Sequence, residues 1–127
     1  MMLKIRSSKQ NIADLEVFIK SIFDEFDLHQ DLYPNMLISL TEAVNNAIQH
    51  GNRNDHAKSV VIETMKRADR VSFVIVDEGP GFDYNSLPDP TAPENLEKTG
   101  GRGVFLMQQL SDNVQFRENG SRVEIEF

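Results

Sequence analysis

Apolar residues recur along this chain with three spacings, and each spacing predicts an element. Met2 to Arg6 alternates weakly and predicts an edge strand. Ser7 and Gln10 have the spacing of a capping box. Beyond them Ile12, Leu15, Ile19, Ile22, Phe23 and Phe26 recur at helical spacing, so an amphipathic helix is expected to end near Leu28. Its aromatics, Phe18, Phe23 and Phe26, read as packing residues rather than ligand contacts. Asp31 as N-cap and Pro34 in the first turn open a second helix, expected from about Leu32 to His50. Leu37, Leu40, Val44, Ala47 and Ile48 form its buried stripe, and Gly51 is placed as its C-cap. On the polar face, Glu42, Asn46 and Gln49 fall within one narrow wedge, with Asn45 beside them.

Asn52 to Lys58 is a polar loop. Ser59 to Lys66 predicts a strand, Ala68-Asp69 a turn, and Val71 to Asp77 a returning strand that is apolar on both faces. Such a strand belongs in the middle of a sheet. Gly79-Pro80-Gly81 then forces a tight turn. Asp83 to Thr99 holds Pro88, Pro90 and Pro93 and no apolar period, a long irregular segment of the sort that is usually functional or mobile. Gly100-Gly101-Arg102-Gly103 opens a third helix, with Val104, Leu106, Met107 and Leu110 inward. Val114 and Phe116 mark a strand, Asn119-Gly120 is a type I′ hairpin signal, and the last strand places Val123, Ile125 and Phe127 on one face, Glu124 and Glu126 on the other. This order predicts a two-layer α/β sandwich: one mixed, mainly antiparallel sheet covered on one face by three helices, the other face partly open.

Composition narrows the picture. With 127 residues, the chain has the length of one domain, 1–127. Cysteine is absent, which excludes disulfides, thiolate metal sites and a cysteine nucleophile. The net charge of −7 argues against direct binding to nucleic acid or to anionic membranes, but not against a nucleotide held by local donors. No run approaches the ~18 apolar residues of a membrane span, and the start is too short and polar for a signal peptide, so a soluble cytoplasmic protein is expected.

Three sites carry candidate chemistry. Asp77 ends a central strand beside Gly79 and Gly81, where a flat ligand can approach closely; an aspartate there can accept a hydrogen bond from the exocyclic amine of adenine. Gly101-Arg102-Gly103 offers free amides, a positive helix end and one guanidinium to a phosphate. Glu42 and Asn46, one helical turn apart, offer a carboxylate that can act as a base and an amide oxygen suited to Mg²⁺. Taken singly, each also has an ordinary reading: an acidic turn, the start of a helix, a solvated helix face. Other chemistries fail on the residues. There is no P-loop, no third glycine of a dinucleotide fold, no zinc spacing among His29, His50 and His56, and no Gly-x-Ser-x-Gly nucleophile.

Glu42-Ala43-Val44-Asn45-Asn46-Ala47-Ile48-Gln49-His50-Gly51-Asn52 resembles the N box of the histidine-kinase-like ATPase superfamily, the Bergerat fold. Asp77-Glu78-Gly79-Pro80-Gly81-Phe82 resembles its first glycine box, and Gly101-Arg102-Gly103-Val104-Phe105-Leu106-Met107 its second. All three stand in the family's order and span nearly the whole chain. Within the superfamily the short length, the Ala-Val-Asn-Asn-Ala-Ile-Gln-His-Gly run and the Asp89-to-Asn95 segment are most similar to the bacterial anti-sigma factor serine/threonine kinases.

The resemblance implies that Glu42 is the catalytic base and that Asn46 holds Mg²⁺ against the phosphates. It implies that Asp77 reads adenine, that Gly79 and Gly81 admit the purine, and that 83–99 is the ATP lid. It makes Phe82, Thr99, Gly100, Gly101, Arg102, Gly103, Val104 and Ser121 nucleotide contacts, Ser121 replacing the threonine of many relatives. Asn45 matches a variable position. The implied activity is ATP-dependent phosphorylation of a STAS-domain anti-anti-sigma protein, with a sigma factor held inactive as second partner and ATP/ADP and Mg²⁺ as cofactors. Relatives of this kind often form homodimers, for which the apolar residues of the first helix or the open sheet face could serve. A non-catalytic ATP-binding switch that works by sequestration is the alternative. The catalytic module of a sensor histidine kinase is disfavoured, since neither His29 nor His50 has the context of a phosphoacceptor.

Overall fold

The computed structural model describes residues 1–80 and 102–127, with Lys9 and Arg102 by backbone alone. Strands β1 (Met2–Arg6), β2 (Ser59–Arg67), β3 (Arg70–Val76), β4 (Asn113–Arg117) and β5 (Arg122–Glu126) form one sheet in the order β1-β2-β3-β5-β4. Every pairing among them is antiparallel, and β3 is the central strand. Helices α1 (Ile12–Phe26), α2 (Tyr33–Asn46) and α3 (Arg102–Leu110) form the second layer, with α2 packed against both others. This is the expected α/β two-layer sandwich with three helices on one face, its sheet antiparallel throughout rather than mixed.

Strand alternation sets which side chains meet the helices. Ile62, Phe73, Ile75 and Ile125 point inward and are fully buried against Leu15, Ile19 and Ile22 of α1, Met36, Leu40 and Val44 of α2, and Met107 of α3. Each such side chain stabilises the fold by about 1.5–3 kcal/mol. Phe18 and Phe23 join this core, and Phe23 meets Tyr33 edge-on at 5.3 Å. On the other sheet face Ser72, Val74 and Val76 are only half-buried. The apolar residues on both faces of β3 therefore reflect a central position under neighbouring long side chains, not two helical covers.

Four local expectations shift. Ser7 does not cap α1; its hydroxyl donates to the Lys58 carbonyl 3.0 Å away, because β1 and the start of β2 run side by side there. A short 3-10 turn, Lys9–Asn11, precedes the helix instead. Asp31 does not cap α2, which starts after Leu32 with no side-chain cap; a 3-10 turn, Gln30–Leu32, precedes it, and there the His29 ring nitrogen accepts from the Asp31 amide. The hairpin between β4 and β5 begins its left-handed run at Glu118 (φ 53°) and Asn119 (φ 58°), one residue ahead of Asn119-Gly120.

The fourth shift positions the site. α2 stops being α-helical at Asn46, and Ala47–Gly51 form a π turn closed by the Asn52 amide on the Ala47 carbonyl at 2.8 Å. One added residue in a turn rotates the downstream chain by about 100°. Gly51 is thereby not an exposed cap but a buried residue facing the end of β3.

Candidate functional site: two carboxylates joined by a widened helix turn

Asp77 is the residue after β3. Its amide continues the antiparallel ladder by donating to the Ser121 carbonyl at 3.0 Å. Its side chain is only 7% exposed. Oδ1 accepts from the Gly79 amide at 2.8 Å, a tight acidic turn that holds the carboxylate in one orientation. Burial pushes the carboxyl pKa above its ordinary value, while the Gly79 N–H and the charge of Lys58 pull it down.

Two glycines make this geometry possible. A Cβ on Gly51 would sit 2.1 Å from Asp77 Oδ2, so the carboxylate rests against bare backbone. A Cβ on Gly79 would sit 1.6 Å from the Gly51 carbonyl oxygen, so the two backbones touch directly. Asn52 fastens them. Its amide nitrogen donates to Ser7 Oγ (2.7 Å) and to the Ser59 carbonyl (3.0 Å), and its Oδ1 accepts from the Glu78 amide (2.7 Å). The Glu78 carboxylate in turn accepts from the Ser59 amide. One buried asparagine thus joins the π turn to the end of β1, the start of β2 and the end of β3.

The second carboxylate lies on α2. Glu42 and Asn46 are half-buried, one turn apart, on a cleft of about 150 Å³ that also touches Asn45, Gln49, His50, Gly103 and Val104. Gly103 stands in the first turn of α3, where backbone N–H groups have no partner within the helix. A Cβ there would lie 2.8 Å from Glu42 Oε2, so the carboxylate and the helix start are in contact. An anion entering this cleft would meet the positive end of α3, an amide and a carboxylate together.

Of the residues expected from sequence, Glu42, Asn46, Gly103 and Val104 come together in the cleft, with Asn45 on its wall. Asp77, Gly79 and the backbone of Ser121 come together at the end of β3, linked to the cleft through the π turn. The Ser121 hydroxyl donates to the Glu118 carbonyl at 2.9 Å. Gly81, Phe82, Thr99, Gly100, Gly101 and the 83–99 segment lie outside the described residues, as does the Arg102 side chain. Gly51 and Asn52 were not expected in the site. Their only sequence signal was their place at the end of the Glu42-to-Asn52 run, where a cap and a loop gave an ordinary explanation.

The donor set suits Mg²⁺ held chiefly by substrate phosphates. Among the described residues no three His, Asp or Glu side chains cluster as a protein cage, and Asn46 offers one hard oxygen. No helix among them is long and apolar enough to cross a membrane.

Comparison with known proteins agrees with this architecture. The chain is 26% identical to the serine-protein kinase RsbW of Staphylococcus aureus strain JH9, over 151 aligned positions covering 97% of this chain and 94% of the relative. The RsbW proteins of strains Newman and USA300 match to the same extent. The family description "Histidine kinase-like ATPase domain" matches residues 5–127, from β1 to the last residue and across all three motifs. The chain therefore belongs to the histidine kinase-like ATPase domain family.

Proposed function

We propose that this protein is an ATP-dependent serine/threonine protein kinase of the anti-sigma type. Its substrate is a STAS-domain anti-anti-sigma protein, and it sequesters a sigma factor. The observation that carries the reading is the contact of Glu42 with Gly103. It sets a base against an anion-binding helix start, one turn from Asn46 and one π turn from the buried Asp77. The similarity to serine-protein kinases named RsbW supports the choice of acceptor.

Adenine would lie over the Gly51–Gly79 contact with its exocyclic amine donating to the Asp77 carboxylate. The triphosphate would extend toward the free amides of α3. The acceptor hydroxyl would place its proton on Glu42 as its oxygen bonds the γ-phosphorus; the bridging P–O bond breaks and ADP leaves. Asn46 would hold Mg²⁺, which supplies charge neutralisation at the phosphates. Most of the catalysis would be positioning and electrostatics, supplied by Glu42, Asn46 and the start of α3.

The test is a pair of measurements. Calorimetric titration with ATP or ADP, with and without Mg²⁺, should give binding that Asp77→Asn loses. Glu42→Gln should keep that binding and lose transfer of labelled phosphate to a STAS-domain protein. Transfer at the native rate by Glu42→Gln would remove Glu42 as the base. Nucleotide binding with no phosphate on any STAS-domain partner would leave the sequestering switch.

A further inference from the structure

Ser7 directly follows β1, a strand at the edge of the sheet, and belongs to no part of the site expected from sequence. Both it and Asn52 are nevertheless only 1% exposed. A hydroxyl and a side-chain amide buried to that degree must find their partners inside the fold.

Those partners fix one direction for a whole chain of hydrogen bonds. The Lys58 carbonyl can only accept, and it takes both the Ser7 amide and the Ser7 hydroxyl, each at 3.0 Å. With its proton committed there, Ser7 Oγ has only lone pairs to offer, and the Asn52 amide nitrogen donates to it at 2.7 Å. The second hydrogen of that nitrogen goes to the Ser59 carbonyl at 3.0 Å. Asn52 Oδ1 is thereby left facing the Glu78 amide, from which it accepts at 2.7 Å. A flipped Asn52 would set its own N–H groups against the Glu78 N–H and its oxygen against the Ser59 carbonyl, two repulsive contacts in a buried place. Glu78 is the middle residue of the turn in which the Gly79 amide donates to Asp77 Oδ1. The hydrogen bonds thus run without a break from a hydroxyl at the end of the first strand to the turn that aims the Asp77 carboxylate.

We infer that Ser7 is a positioning residue for nucleotide binding. Acting through Asn52 and the Glu78 amide, it holds the Asp77 turn in the geometry that accepts an adenine amine. The inference rests on the reading of Asp77 as the adenine contact. It adds that nucleotide affinity depends on how the end of β1 is seated, although Ser7 does not line the Glu42 cleft. Removal of the hydroxyl leaves one Asn52 N–H buried without its partner, and Asn52 then gains by turning or by drawing in water. Either change takes a fixed acceptor from the Glu78 amide and lets the Asp77 turn sample orientations that do not bind. A preorganised acceptor binds more tightly because less order is lost on binding.

The test is calorimetric titration of ADP with Mg²⁺ into the whole chain and its variants. Ser7→Ala should weaken ADP binding about fivefold, the effect of one neutral hydrogen bond. Ile5→Val thins the core on the same strand; it should lower the thermal midpoint while leaving ADP affinity within about twofold of native. Ser7→Thr and Ser7→Val add nearly the same bulk and differ in the hydroxyl. The threonine variant should bind ADP about fivefold more tightly than the valine variant, and this pair carries the test if the alanine variant fails to fold. In an Asn52→Ala background, Ser7→Ala should change the affinity by less than about twofold, because its route is already cut. Unchanged binding in Ser7→Ala, equal binding by the threonine and valine variants, or full additivity with Asn52→Ala would overturn the inference and leave the Asp77 assignment standing. So would an affinity loss in Ile5→Val as large as that in Ser7→Ala. A native chain that binds no ADP at millimolar concentration would overturn the Asp77 assignment and this inference together.

Discussion

The two ends of the site are built from different materials. Around Asp77 the parts are backbone: Gly51 against Gly79, one carboxylate wedged between them, and Asn52 tying three segments together. Around Glu42 the parts are side chains on a helix face, half-exposed, with a single close contact to Gly103. The first end has little room to adjust, because Gly51 and Gly79 touch main chain to main chain and the Asp77 and Asn52 side chains are hydrogen-bonded. The second can move by rotating a side chain. In the proposed reaction the fixed end would hold the rigid ring and the adjustable end the reacting phosphate.

The sharpest way to break the comparison is Gly79→Ala. Its Cβ would need the space of the Gly51 carbonyl, 1.6 Å away, and main chain cannot swing aside as a side chain can. A stability loss of more than about 3 kcal/mol is expected in denaturant unfolding, with nucleotide binding lost as well. A loss below about 1 kcal/mol would mean that the two backbones are not locked together.

Asn52→Ala comes next. It leaves the Glu78 amide and the Ser59 carbonyl without their partner near the core and should cost about 2–3 kcal/mol. Hydrogen exchange at the Glu78 amide should rise more than exchange in α1, which touches none of these groups. Uniform acceleration across the chain would show Asn52 to be an ordinary core residue rather than a local tie.

Asp77→Asn tests the electrostatics of the same end. Burial raises the Asp77 pKa in the folded state above its unfolded value, so the native state holds its proton more tightly. The resulting cost to stability is absent below the unfolded pKa, grows through the window up to the folded pKa, and is complete above it. Asparagine keeps an oxygen for the Gly79 amide and carries no charge. The variant should therefore be at least as stable as the native chain near neutral pH, with a flatter stability profile in the acid range, while failing to bind adenine nucleotides. A variant less stable at neutral pH than at acid pH, by the same margin as the native chain, would assign the pH dependence elsewhere.

Gly103→Ala probes the adjustable end, where the smallest stability effect is expected. The nearest atom to its Cβ would be Glu42 Oε2, at 2.8 Å, the far end of a side chain that can turn away. Unfolding free energy should stay within about 1 kcal/mol, since alanine also favours the helix. Phosphoryl transfer should fall about tenfold or more as the base is displaced. Unchanged transfer would mean that the carboxylate works from another position.

Sequence patterns resolved the elements because periodicity is a local property. The stripe of Leu15, Ile19 and Ile22, the alternation of Val123, Ile125 and Phe127, and the run from Val71 to Asp77 all report burial directly. Caps and turns were less legible, since Ser7 and Asp31 have several possible partners and tertiary neighbours choose among them. Ser7 is buried beside the start of β2 and donates its hydroxyl there. The outward charged residues of the sheet were present in the sequence but scattered over three distant stretches, and only strand register collected them.

The chain by itself singled out the candidate site residues: Glu42 with Asn46 on one helix face, and Asp77 ahead of glycine at a strand end. Their types and short-range spacing are fixed by covalent order. Only the tertiary structure decided that Gly51 is part of the site and that Asn52 holds it. Both depend on one extra residue in the turn after Asn46, which rotates the chain onto the end of β3. That choice rests on contacts with residues 25 or more positions away, such as Gly51 with Asp77 and Asn52 with Glu78 and Ser7, which no local pattern encodes.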